Sequence, residues 1–133
     1  MATNPQTAIA ARNDALDTVL NQLNGGYVDI YDGLQPATVA TAITTQVKLV
    51  RCQLGNPAFA AASGGSKAAN AITAGIALAG GVPAWYSLVK SDGTTRWHEN
   101  TVGATGSLVF DNGVTEIVQG ATIPINSLVV SQA

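Results

Sequence analysis

Between Ile9 and Leu23 the apolar positions recur at helical spacing, with Ile9, Leu16, Val19, Leu20 and Leu23 on one face. Arg12, Asp14 and Asp17 lie mostly off that stripe, and Ala8, Ala10, Ala11 and Ala15 raise helix propensity. Asn4 is placed to act as N-cap, with Pro5 at the first helical position. Gly25-Gly26 supplies the stop, because glycine takes the left-handed cap conformation at little cost. The pattern predicts an amphipathic N-terminal helix within residues 1–26. Its stripe needs a partner, which is either the chain's own sheet or a neighbouring subunit.

After Gly26 the period shortens to two. Tyr27–Tyr31 alternates, with Val28 and Ile30 on one side. Asp32-Gly33 opens a loop through Gln35-Pro36, and residues 38–45 fit either a helical turn or an extended edge. Residues 46–54 read as a strand, with Val47 and Leu49 on one face and Val50, Cys52 and Leu54 on the other. Asn56-Pro57 breaks it, and residues 59–67 read as a small-residue loop. Residues 69–78 and 82–90 are predicted strands, joined at Gly80-Gly81 as a tight hairpin. Asp92-Gly93 turns the chain into a further strand at 94–98. Residues 108–110 and 114–118, around Asn112-Gly113, make a third hairpin. Residues 123–130 form the last strand, where Pro124 marks an edge position or the strand's start. Short strands at this spacing predict a mainly β fold: an antiparallel, jelly-roll-like β-sandwich over 27–133 behind an N-terminal α-helix. A parallel α/β sheet is disfavoured, since strands and helices do not alternate.

Composition adds one point to this picture. The 133 residues suit one domain, and 47% hydrophobic content is ordinary, but charged residues make up only 11%, against about 25% in an average globular protein. The polar surface must then come from Thr, Ser, Asn and Gln, which desolvate more cheaply than charges. That suits a protein packed against neighbours, and equally a plain low-charge domain. The net charge is −2, and Lys48, Arg51, Lys67, Lys90 and Arg96 are scattered. Without a basic stripe, direct nucleic-acid binding is not expected. No apolar run is long enough to cross a bilayer, and no leader pattern is evident in residues 1–13. Cys52 is the only cysteine, so no intramolecular disulfide can form, which fits synthesis in a reducing cytoplasm.

The candidate chemistry is thin. His98 is the only histidine, and Glu99 beside it on a strand points to the opposite face, so no catalytic triad is expected. One His and one Cys cannot make a tetrahedral zinc site. Asp29 and Asp32 lack the acidic ladder of a calcium loop. Gly64-Gly65-Ser66-Lys67 lacks the earlier glycine of a phosphate-binding loop. Cys52 reads as a small buried hydrophobe. The expectation is therefore no enzyme, no metal and no cofactor. Trp85 and Tyr86 must face opposite sides of their strand, with one available to the core and the other to the outside, and Trp97 across the turn could pair with either. Packing is one reading of these aromatics. The other is an interface, because Trp and Tyr dominate binding hot spots. The candidate interface set is Ile9, Leu16, Leu20 and Leu23 on the helix, with Trp85, Tyr86 and Trp97 on the hairpin.

Taken in order, the blocks VDIYDGLQPATVATAITTQVKL, NPAFAAASGG, AITAGIALAGGVPAWYSLVKSDGTTRW, TVGATGSLVF and PINSLVV resemble a group of small virion proteins of tailed bacteriophages. The resemblance runs from about Tyr27 onward. Its most specific pieces are residues 29–36 (DIYDGLQP) and 84–94 (AWYSLVKSDGT). It implies a capsid cement, or decoration, protein on the outer surface of the head, made in the bacterial cytoplasm. The implied partners are an HK97-like major capsid protein and further copies of the chain, as homodimer or homotrimer. The resemblance carries no catalytic motif. A neck, tail or head-fibre protein and a carbohydrate-binding β-sandwich module, stacking sugars on Trp85, Tyr86 and Trp97, are the alternatives.

Overall fold

A computed structural model describes residues 8–62, 64, 66–102, 108–110 and 116–131. The chain is mainly β, with antiparallel sheets and one N-terminal helix. In chain order the elements are α1 (Ile9–Leu20), a 3₁₀ turn (Asn21–Leu23), β1 (Tyr27–Tyr31), β2 (Lys48–Gln53), β3 (Ser66–Ala68), β4 (Gly75–Ile76), β5 (Trp85–Val89), β6 (Arg96–Thr101), β7 (Leu108–Phe110), β8 (Thr122–Ile123) and β9 (Ile125–Ser131). Asn4 and Pro5 lie outside the described residues.

Helix α1 presents only part of its predicted stripe to the core. Leu16, Leu20 and Leu23 are buried in the same hydrophobic cluster as the strands, whereas Ile9 and Val19 stay exposed. Gly25, at φ +71°, ends the helical run. A buried lysine fixes the helix in place: Lys67 Nζ on β3 lies 2.7 Å from Asp17 Oδ1 and 3.4 Å from Asn21 Oδ1. Asp17 Oδ1 also accepts the Ala62 amide at 3.1 Å.

The main sheet has the order β2-β1-β5-β6, and every pair in it is antiparallel. Its inner face carries Val28 and Ile30 of β1, Val50 and Cys52 of β2, and Tyr86 and Leu88 of β5. A register shift at Ile30/Tyr31 lets Leu49 reach the core as well. A second sheet, β3-β9-β7, contributes Leu108, Phe110, Leu128 and Val130 to the same cluster. The short β4-β8 ribbon completes the fold. Pro124 falls between β8 and β9, where the chain passes from ribbon to sheet, so its missing N–H interrupts neither ladder. Pro124 thus marks a strand's start. The edge reading fails, because β9 is paired on both sides.

The expected hairpin at Gly80-Gly81 does not form. Neither glycine has a positive φ, and Gly81 instead exchanges two backbone hydrogen bonds with Ile117, at 2.9 and 2.8 Å. Residues 75–76 pair with β8, while β5 pairs with β1 and β6. Long-range pairing wins here because the Ala- and Gly-rich stretch between them has few side chains to stabilise a local turn. The hairpin at Asp92-Gly93 does form, with Gly93 at φ +79°. Asp92 Oδ1 accepts the amides of Thr94 and Thr95, both at 2.9 Å, and Oδ2 accepts the Thr95 hydroxyl. The expected loop at 59–67 includes the first residues of β3, and Phe59 bridges Ala69. Asn112-Gly113 lies outside the described residues, and β7 takes β9 as its partner.

Residues 32–47 contain neither strand nor helix. Their ends are tied together: the Asp32 amide donates to Val47 O at 3.1 Å, and the Val47 amide donates to Asp32 Oδ1 at 2.6 Å. The middle of the segment reaches the far edge of the main sheet, where Arg96 Nη1 donates to Thr41 O at 2.6 Å. It therefore crosses the outer face of the sheet, opposite the hydrophobic cluster.

Candidate interaction surface

Of the seven residues expected at an interface, five lie inside the chain. Leu16, Leu20 and Leu23 belong to the core, and Trp85 and Tyr86 are fully buried. The alternation places Tyr86 inward and Trp85 outward, as expected, but the outward side is not wet. Trp85 stacks on Tyr31 with ring centroids 4.4 Å apart, and its Nε1 donates to Asp32 O at 3.0 Å. Residues 32–47 close over it. Ile9 and Trp97 remain partly exposed, at 46% and 37%. Trp97 does not pair with Trp85 or Tyr86. Its Nε1 donates to Val19 O at 2.7 Å, and Lys90 Nζ lies 4.8 Å from its ring centroid.

The outer face of the main sheet holds a cross-strand row of polar residues, Arg51–Asp29–Ser87–Glu99. Arg51 grips Asp29 through two bonds, Nε–Oδ1 at 2.6 Å and Nη2–Oδ2 at 2.8 Å, and Lys48 Nζ adds a third contact at 3.2 Å. This pairing pushes the Arg51 pKa up. The Arg51 guanidinium also lies over the Tyr27 ring and donates to Gly93 O at 2.8 Å. At the other end Arg96 Nε donates to Glu99 Oε2 at 2.6 Å. The side chains of Asp29 and Glu99 are each only 2% exposed. Three buried atoms in and beside this row, Ser87 Oγ, Glu99 Oε1 and Arg96 Nη2, have no hydrogen-bond partner. Each orphaned group costs about 1–3 kcal/mol of desolvation. No local pattern announces this row, because it is assembled from four strands that the chain reaches at distant points.

Among the described residues the titratable groups form no reactive constellation. Burial holds the half-buried His98 below the usual histidine range and outweighs the opposing Glu99 charge. Burial also pushes the Cys52 thiol up, and its Sγ points at Ile123 O, 3.7 Å away. Tyr31 is pushed up to about 12, mainly by burial and then by the Asp29 charge. Asp92 is held down at about 2 by the Thr95 hydroxyl and the two turn amides. Among the described residues no group of three or more His, Cys, Asp or Glu side chains is placed to hold a metal ion. Among the described residues no helix is long and apolar enough to cross a membrane.

The surface that stands out is apolar. Residues 75–82 run antiparallel to 117–123 through β4-β8, the Gly81–Ile117 bridge and the Ala77 amide bonded to Ala121 O at 2.8 Å. Ala77, Ile117 and Ile123 are buried on the inner side of this ribbon. Ile76, Leu78, Val82 and Val118 are 58–64% exposed. Charged residues are absent from 68–89 and from 117–133. Asp29, Lys48, Arg51, Arg96 and Glu99 belong to the main sheet instead. Exposed apolar side chains grouped on one face are a physical sign of an interaction surface. No known protein family, curated protein or solved structure matches the chain.

Proposed function

We propose that this chain is a structural virion protein, a capsid cement or decoration protein that binds the outside of a phage head. In this reading it braces contacts between subunits of an HK97-like major capsid protein, as a homodimer or homotrimer. Its sheets are taken to stack as a jelly-roll-like sandwich, and it performs no catalysis. The observation that carries the reading is the uncharged ribbon bearing Ile76, Leu78, Val82 and Val118. Burying the exposed part of each side chain contributes about 1–2 kcal/mol. The four together give one copy about 4–8 kcal/mol before the cost of association, and repetition around a symmetric shell multiplies the net gain through avidity. The low overall charge keeps desolvation cheap, and the likeness of residues 29–36 and 84–94 to small phage virion proteins supplies the partner class.

Purified protein is expected to bind expanded heads and raise their melting temperature. The double variant Leu78→Asn/Val82→Asn should keep its own stability and lose head binding at least tenfold. Absence of binding to heads under all conditions would sink the proposal. A neck, tail or head-fibre position is the alternative virion role, and labelling the protein on particles distinguishes it. A sugar-stacking platform is not favoured, since Trp85 and Tyr86 are buried and only Trp97 is accessible.

A further inference from the structure

Residues 32–47 cover the outer face of the main sheet but are weakly held there. Only two hydrogen bonds among the described residues join the segment to the rest of the protein: Trp85 Nε1 to Asp32 O and Arg96 Nη1 to Thr41 O. Its other bonds are internal. The Thr38 and Thr41 hydroxyls meet at 2.8 Å, Gln46 Nε2 donates to Leu34 O at 2.5 Å, and the Asp32–Val47 pair closes the base. The segment can therefore move as one preformed loop on Tyr31 and Lys48. Of the segment's own apolar residues only Pro36 is buried, Val39 and Ile43 are half-buried and Leu34 is 84% exposed, so its apolar seating rests mainly on the stacked Trp85 and Tyr31 rings. Few buried contacts and few tethers are the physical signs of low local stability.

The seated position also carries a cost. Arg96, which reaches Thr41, and its partner Glu99 leave Nη2 and Oε1 buried without partners, and Ser87 Oγ, opposite Glu99 in the ladder, is a third such atom. Lifting the segment breaks two hydrogen bonds and opens three orphaned polar atoms to water. Opposing this is the re-exposure of Trp85, Tyr31 and Pro36. We propose that residues 32–47 are a hinged cover over the Arg51–Asp29–Ser87–Glu99 row, latched by Arg96 to Thr41, and that it opens within the folded protein. Opening presents a charged row and an aromatic pair that the seated form hides. The inference stands apart from the virion reading.

Two measurements test it. The first follows exchange of the Trp85 indole N–H by NMR in the intact protein, across low urea concentrations. A cover that opens locally gives exchange at least tenfold faster than the amides of Ile30 and Leu88, with little dependence on urea. The second uses Trp97→Phe, which leaves Trp85 as the only tryptophan. Adding Arg96→Lys keeps a cation beside Glu99 but removes the fork that also reaches Thr41. Acrylamide quenching of Trp85 should then rise about twofold or more, with an unchanged far-ultraviolet spectrum. An indole N–H that exchanges only with the urea slope of global unfolding overturns the proposal, whether or not the lysine variant folds. Quenching unchanged in a folded lysine variant overturns the latch.

Discussion

Ser87→Ala removes one oxygen from the middle of the polar row, and the structure assigns the change an unusual sign. Ser87 is fully buried, and its Oγ has no partner. It sits directly opposite Glu99 in the ladder, and Glu99 Oε1 is also unpartnered, yet the two do not bond. The hydroxyl therefore gives up hydration and gains nothing. Deleting it should recover about 1–3 kcal/mol. The cavity left by one oxygen takes back a few tenths of a kcal/mol, at about 24 cal/mol per Å³. The net expectation is a gain of about 1 kcal/mol or more. With an unfolding entropy of about 2.1 cal/mol/K per residue, that raises Tm by about 3–4 °C. Differential scanning calorimetry and urea unfolding measure it, with an unchanged urea slope showing that the unfolded state is unaltered. A Tm lowered by more than about 2 °C would refute the reasoning, because it would mean that the hydroxyl is satisfied in solution.

Two further predictions follow from the packing and the charges. A Cβ at Gly75 would lie 2.1 Å from Arg51 O, a backbone atom that cannot swing aside, so Gly75→Ala should cost about 2–3 kcal/mol in urea unfolding; a loss below about 0.5 kcal/mol would show that β4 slides freely past β2. Asp17 and Asp92 both have lowered pKa values in the folded protein, Asp17 through Lys67 and Asp92, at about 2, through the Thr95 hydroxyl. A depressed acid stabilises the fold above its unfolded pKa and loses that contribution as pH falls through the folded one. Stability should therefore decline from about pH 4 toward pH 2, and Asp92→Asn should flatten that decline; an acid limb unchanged in the variant would contradict the turn geometry.

What was legible in the sequence was local. The helix, the strands around Val28, Cys52 and Leu88, and the Asp92-Gly93 turn all follow from spacing and turn chemistry within a few residues. Cys52 reads as a buried hydrophobe, and is one, because its apolar neighbours alternate with it. The failures share one cause. Period two assigns Trp85 to the face opposite Tyr86, but it cannot say whether that face meets water. The cover at 32–47 has no hydrophobic period to announce it, so the sequence alone leaves Trp85 available to an interface. Gly80-Gly81 has the composition of a hairpin, yet Ile117, far along the chain, claims Gly81. The uncharged ribbon is built from two remote stretches, and only its lack of charge could have hinted at it.

The position of β1 has a consequence for how the chain comes together. It is the first strand in the sequence but an inner strand of its sheet, between β2 and β5. As the chain emerges during synthesis, β1 can pair with β2 early. Its other edge must then wait for Trp85–Val89, after β3 and β4 have been made. Until then a five-residue strand with buried-type side chains shows an open edge, the kind of template that invites pairing with another chain. Non-local closure of this sort places folding in the slow range for small domains, about milliseconds to seconds. The interval before β5 arrives is thus the stage at which nascent copies are most exposed to one another.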